Sequence, residues 1–216
     1  MKGILIFSVT LFCTLTSKAQ VDLEIFAGPH ASSASYSVKG KNQSTDYKFG
    51  FQIGGGVKIP FENKLSFVPD LSYKLMGYKV NFNTPSFPPD LLAKDNNTSF
   101  HEIDLDVLLQ FDLGKNPGHF FLKAGPDFSF ILAGNEKFNL LTGKQVDRSM
   151  KFSVLNSYGR YDASVVIQFG YETSEGFFVY ANYVQHLISM NNEDQGPSIR
   201  NYLAGITFGK ILKPKK

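Results

Sequence analysis

Residues 101–113 alternate in polarity so regularly that they define the surroundings of both faces of a strand. His101, Ile103, Leu105, Val107, Leu109, Phe111 and Leu113 share one face; Glu102, Asp104, Asp106, Leu108, Gln110 and Asp112 share the other. Successive side chains of a β-strand point to opposite sides. One side is thus almost wholly apolar while the other carries four carboxylates. A soluble sheet hides its apolar face beneath water-facing polar residues. An apolar outside around a polar inside is instead the pattern of a transmembrane β-barrel.

The same split recurs along the chain. Strands are predicted over about 21–35, 47–59, 65–80, 99–113, 119–132, 158–172, 177–190 and 200–210. The connections at 60–64, 114–118 and 173–176 are short, whereas those at 36–46, 81–98, 133–157 and 191–199 are longer and polar. The expected fold is all-β: an eight-stranded antiparallel transmembrane barrel with up-and-down meander topology, short turns at one end and long loops at the other. Both termini would lie on the short-turn, periplasmic side. Pro29, Pro69 and Pro126 fall inside predicted strands, where proline gives no ladder donor, so bulges or strand ends are expected there. Gly54-Gly55-Gly56 lies within a strand and reads as relief of crowding or a bend, not as a phosphate loop. With no Trp in the chain, an interfacial aromatic belt would rest on Tyr47, Tyr73, Tyr161, Tyr171, Tyr183, Tyr202 and the phenylalanines.

Residues 1–19 read as a secretory signal: Lys2, an apolar run from Gly3 to Leu15, and small residues at Ser17 and Ala19 before a cut. Residues 20–216 then form one outer-membrane barrel domain. Cys13 is the only cysteine and leaves with the signal, and Phe12 before it argues against a lipoprotein. The mature chain would have no thiol or disulfide chemistry. Loss of Lys2 and Lys18 lowers the net charge from +3 to +1, which gives no footing for a nucleic-acid partner.

Chemistry-bearing residues concentrate on the inward face. Asp70, Glu102, Asp104, Asp106, Asp112, Asp127, Asp162 and Glu172 are candidate lumen acids; Lys48, Lys58, Lys74, Lys123 and Arg160 are candidate lumen bases. In so narrow a barrel, side chains fill the interior and buried charges must pair or stay wet. A charge network is expected from Lys74, Asp104, Asp106, Lys123, Asp127, Arg160 and Asp162. If the 114–118 turn sets Gln110 opposite Lys123, it also sets Asp106 opposite Asp127. Like charges in that position repel, so a nearby cation is expected, with Lys74, Lys123 or Arg160 as candidates. A polar conduit or cation site is the alternative use of these groups. His30, His101, His119 and His186 read as interfacial or solvated. His186 and Ser189 are three apart, which puts them on opposite faces of a regular strand and argues against a catalytic dyad. No metal-ligand spacing is present and no cofactor is expected. The 133–157 loop mixes Phe138, Leu140, Leu141, Met150 and Phe152 with Lys144 and Arg148, and packing onto its own barrel is the expectation.

Three segments carry a family resemblance. Leu122-Lys123-Ala124-Gly125-Pro126-Asp127-Phe128-Ser129 resembles the fifth strand of the PorT-type outer-membrane β-barrel family of Bacteroidetes. Tyr161-Asp162 with Gly170-Tyr171-Glu172 is similar to its sixth strand, and Asn201-Tyr202 through Gly205-Ile206-Thr207-Phe208-Gly209 to its closing strand. The signal ending Ala19-Gln20 resembles those of exported Bacteroidetes proteins. The resemblance implies an eight-stranded barrel in the Gram-negative outer membrane. Its founding member is implicated in protein export by the type IX machinery. The expected function is therefore non-enzymatic, structural or accessory to secretion and surface assembly, with outer-membrane lipid and secretion-machinery proteins as partners. Alternatives are an outer-membrane enzyme acting on lipid or peptide, and a soluble lipocalin-like binder with its apolar face turned inward.

Overall fold

A computed structural model describes residues 21–114, 118–153 and 157–212. The signal-peptide reading of 1–19, with Cys13, lies outside the described residues. Eight long strands form the wall: β1 (Asp22–Val38), β3 (Ser44–Glu62), β4 (Leu65–Asn81), β5 (Asp95–Leu113), β6 (His119–Asn139), β8 (Tyr161–Glu172), β9 (Phe177–His186) and β10 (Ser198–Leu212). Two short strands, β2 (Lys41–Asn42) and β7 (Gln145–Ser149), extend β1 and β6 at the loop end. Each long strand pairs antiparallel with the next, and β10 closes on β1 from Leu23↔Leu212 to Ser37↔Ser198. The ring is complete, so the wall has no free edge.

Alternation decides which way each strand faces. Along β5, Glu102, Asp104, Asp106, Leu108 and Gln110 are buried inside while Ile103, Leu105, Leu109, Phe111 and Leu113 lie exposed on the outer wall. The outer surface continues through Ile25, Phe49, Ile53, Leu71, Leu122, Phe128, Ile167, Phe169, Ile206 and Phe208. This polarity is the reverse of a lipocalin-like barrel. Aromatic pairs mark the rims of the apolar band: Tyr47 with Tyr202, Tyr73 with His101 and Tyr161 with Phe130 toward the loop end, Phe120 with Tyr171 toward the termini.

The prolines do not make bulges. Ladder partners on either side of Pro29 (Ala27↔Phe208, His30↔Gly205) and of Pro126 (Asp106↔Asp127, Leu109↔Ala124) keep one register. Pro69 pairs with Val107 in an unbroken run. Gly28 and Gly125 supply the compensation. A Cβ at either would strike the neighbouring strand, at Ile206–Thr207 or Val107–Leu108 respectively. The bare backbone of a Gly-Pro step thus lies close against its neighbour where the proline cannot donate, and the strand continues in register. The register shifts fall elsewhere, between Tyr47 and Phe51, between Pro60 and Glu62, and between His101 and Glu102.

Strands β8 and β9 have 12 and 10 residues against 15–21 for the other six, so the wall is lower there at the loop end. Segments 150–153, 157–160 and 187–197 fill the notch, burying Met150, Tyr158 and Met190.

Candidate functional site

The lumen is filled in three tiers. Toward the termini lies an aromatic cluster of Phe26, Phe121, Phe178, Tyr180 and Ile211. Each phenylalanine faces a glycine directly across the ladder: Phe26↔Gly54, Phe121↔Gly170 and Phe178↔Gly209. A Cβ at Gly54 would lie 2.7 Å from the Phe26 ring and one at Gly170 2.6 Å from the Phe121 ring. The first glycine of the Gly54-Gly55-Gly56 run therefore relieves crowding, and Gly56 makes the same room for the Asp70 carboxylate. Lys123 is buried among these rings, its Nζ 5.6 Å from the centres of Phe121 and Phe178 and 5.9 Å from Tyr180, and it donates to Glu24 Oε2 at 2.7 Å. Beside this tier, Lys58 donates to Glu172 at 2.8 Å, and His119 lies 3.2 Å from Asp112.

The middle tier is acidic. Asp106 stands opposite Asp127, Asp70 opposite Asp106, and Lys74 opposite Glu102. Lys74 Nζ lies 3.1 Å from Asp104 Oδ2 and 3.7 Å from Asp127 Oδ2. This lysine is therefore the cation set against the repelling aspartate pair. Lys123 belongs to the aromatic tier and Arg160 to neither. Parity from a strand starting at 158 turns Arg160 inward, but β8 begins at Tyr161 and Arg160 precedes the pleat. Its guanidinium instead caps Ile131 O at 2.8 Å and Leu132 O at 2.9 Å and lies 4.5 Å from the Phe152 ring centre. Lys48 reaches from β3 to Asn97 Oδ1 at 2.7 Å and Thr98 O at 2.9 Å.

Asp162 also departs from the expected cluster, pairing at 2.9 Å with His186 Nδ1. His186 and His30 are buried in the lumen rather than interfacial, and His30 Nε2 sits 3.0 Å from Leu75 O. Ser189 is no partner of His186; its hydroxyl accepts the backbone N–H groups of Asn191 and Ile199. Ser164 is the serine opposite His186 on the ladder. Asp162, His186 and Ser164 are residue types of a nucleophilic relay, yet all three are buried inside the wall. Among the described residues, no group of three or more His, Cys, Asp or Glu is arranged to hold a metal ion.

At the loop end the third tier is apolar: Tyr36, Met76, Tyr78, Phe100, Ile131, Met150, Tyr158, Met190, Ile199 and Leu203 pack together. Tyr158 donates to Glu136 Oε2 at 2.8 Å, and Arg148 donates to Glu136 Oε1 at 2.7 Å and to Pro89 O at 2.6 Å. Burial beside Tyr78 and Glu136 pushes the Tyr158 phenol well above its ordinary pKa. Within the 133–157 segment, Phe138 and Met150 thus pack on their own barrel, while Leu141 points outward. Leu141 adjoins the 82–94 loop, donating its N–H to Leu92 O, and with Phe87, Leu91 and Leu92 it leaves an exposed apolar surface on the loop end.

Glu24 and Glu136 are buried acids that sequence reasoning missed, Glu136 because it lies beyond the predicted end of its strand and Glu24 for a different reason. The parity of Leu23, Ile25 and Ala27 outward marks Glu24 as inward, but Phe26 beside it obscures the polar face.

The chain resembles solved outer-membrane barrels at low identity. The outer membrane protein OprG from Pseudomonas aeruginosa is 10% identical, with 91% of this chain and 98% of that one covered and a TM-score of 0.48. Neisserial surface protein A is 15% identical over 87% and 96%, with a TM-score of 0.45. The outer membrane enzyme PagL is 8% identical over 87% and 98%, also at 0.45. No curated protein matches the sequence significantly. The family model described as an outer membrane protein beta-barrel domain matches residues 16–192. With its closed apolar-walled ring and that match along most of its length, the chain belongs to the outer-membrane β-barrel domain family.

Proposed function

We propose that this is a PorT-type, non-enzymatic outer-membrane protein of a Bacteroidetes bacterium, an accessory to protein secretion or surface assembly. Its termini lie in the periplasm and its long loops outside the cell. The observation that carries this reading is the packed lumen: aromatic rings near the termini, ion pairs at the centre and an apolar plug at the loop end. A barrel filled in this way serves as an anchor rather than a conduit. What it holds at the loop end is a surface of Phe87, Leu91, Leu92 and Leu141, braced by the Arg148 bond to the 82–94 loop. Exposed apolar residues on a water-facing platform suit a protein partner. The test is crosslinking in the native outer membrane, mild-detergent extraction and identification of what copurifies with a tagged copy. Secretion-machinery components should be recovered with the wild type and lost with Leu91→Asp and Leu141→Asp. Recovery of the barrel alone would defeat the accessory role.

A further inference from the structure

The outer wall carries a groove across the β1–β10 seam, about 610 Å³ in volume. Its sides are Ile25, Ile53 and Phe208, and its floor is the small side chain of Ala27 with the backbone at Gly54 and Gly209, whose Cβ positions point into the lumen. The lining holds one charged residue, Lys210, with its Nζ 4.1 Å from the Phe177 ring centre. Phe177 starts β9 beside the 173–176 turn, so the cation stands at the terminal rim of the apolar band. The lining includes no carboxylate. An apolar groove with a single cation at the rim complements a molecule with a hydrocarbon chain and an anionic head.

We propose that this groove is a binding site for one phospholipid of the inner leaflet, an acyl chain lying over Ala27, Gly54 and Gly209 and the phosphate on Lys210. The leaflet rests on the periplasmic placement of the termini. Lysine binds phosphate as a point charge, and its cation–π contact with Phe177 holds the ammonium at the mouth of the groove.

The experiment is native mass spectrometry of the full chain purified from outer membranes in mild detergent. The wild type should retain one phospholipid mass. Lys210→Gln should reduce retention about tenfold, the worth of a charge-assisted bond. Ala27→Phe, which fills the groove from the outer face without touching the lumen, should abolish it. Lys64→Gln should leave it unchanged, because Lys64 lies 5.7 Å from the Phe111 ring outside this groove. Equal loss in the Lys64 and Lys210 variants, no retained lipid in the wild type, or a second copy of the chain crosslinked through position 27 would overturn the site. Retention of lipid A instead would overturn the proposal by reversing the orientation, a different failure from an empty groove.

Discussion

The Glu24–Lys123 pair is the sharpest place to perturb the barrel. The two side chains meet at 2.7 Å and each is about 2% exposed, with three aromatic rings around the ammonium. At an effective dielectric near 20, two unit charges at that distance attract by about 6 kcal/mol, and desolvation takes back much of it. Lys123→Met removes the cation and leaves Glu24 charged against phenyl rings. The cost should be ~3–5 kcal/mol, the usual result of stranding one member of a buried pair. Glu24→Leu should cost a similar amount by stranding the ammonium. The double variant, with both charges replaced by apolar groups of similar bulk, should lie within about 2 kcal/mol of wild type. The chain has no Trp, so urea unfolding in lipid vesicles is best followed by far-UV circular dichroism and by heat-modified gel mobility. A single-variant cost below about 1 kcal/mol, or a double variant that costs the sum of the two, would refute the pairing.

Gly54→Ala should destabilise the barrel by ~1–3 kcal/mol by overpacking against Phe26, with Gly55→Ala the milder control because its Cβ would point outward; equal costs in the same urea assay would argue against the ring-over-glycine pairing. Leu105→Lys, on the outer wall near mid-strand, should cost ~2–4 kcal/mol, and Leu113→Lys, at the terminal rim, ~0–1 kcal/mol; vesicle refolding yields that ignore depth would contradict the membrane placement. Tyr158→Phe strands Glu136 Oε2 and should cost ~1–3 kcal/mol, seen as faster tryptic cleavage after Lys151. Because burial raises the Tyr158 pKa, that contribution is present below the ordinary value of 10.0 and declines as pH climbs above it, so wild-type cleavage should quicken only at strongly alkaline pH.

The membrane-spanning parts were legible because lipid on one side and a charged lumen on the other write a two-residue period into each strand. Where that contrast ends, so does the signal. The predicted strand over 119–132 runs on to Asn139, through Gly134-Asn135-Glu136-Lys137, where the inward face stays buried at Glu136 and Phe138 but the outward residues are no longer apolar, and the ladder continues into β7. The 158–172 strand starts three residues late, with Tyr158 packed in the apolar loop-end cluster ahead of β8, and that offset took Arg160 out of the lumen. The Asp106–Asp127 opposition could be worked out because a short turn fixes register. The Asp162–His186 contact and the phenylalanine–glycine pairs needed the register of strands whose connections are long or whose inward aromatics break the polar pattern. Proline read as a bulge signal in isolation, yet the ladder keeps its register at all three, with a close-packed glycine before Pro29 and Pro126 and Val68 before Pro69.

The lumen of the barrel is sealed by its own side chains. Current through the purified barrel in planar lipid bilayers tests this most directly. The packed tiers predict no steady single-channel conductance above the bare membrane; a large, stable conductance step would mean that the aromatic and apolar tiers do not close the barrel.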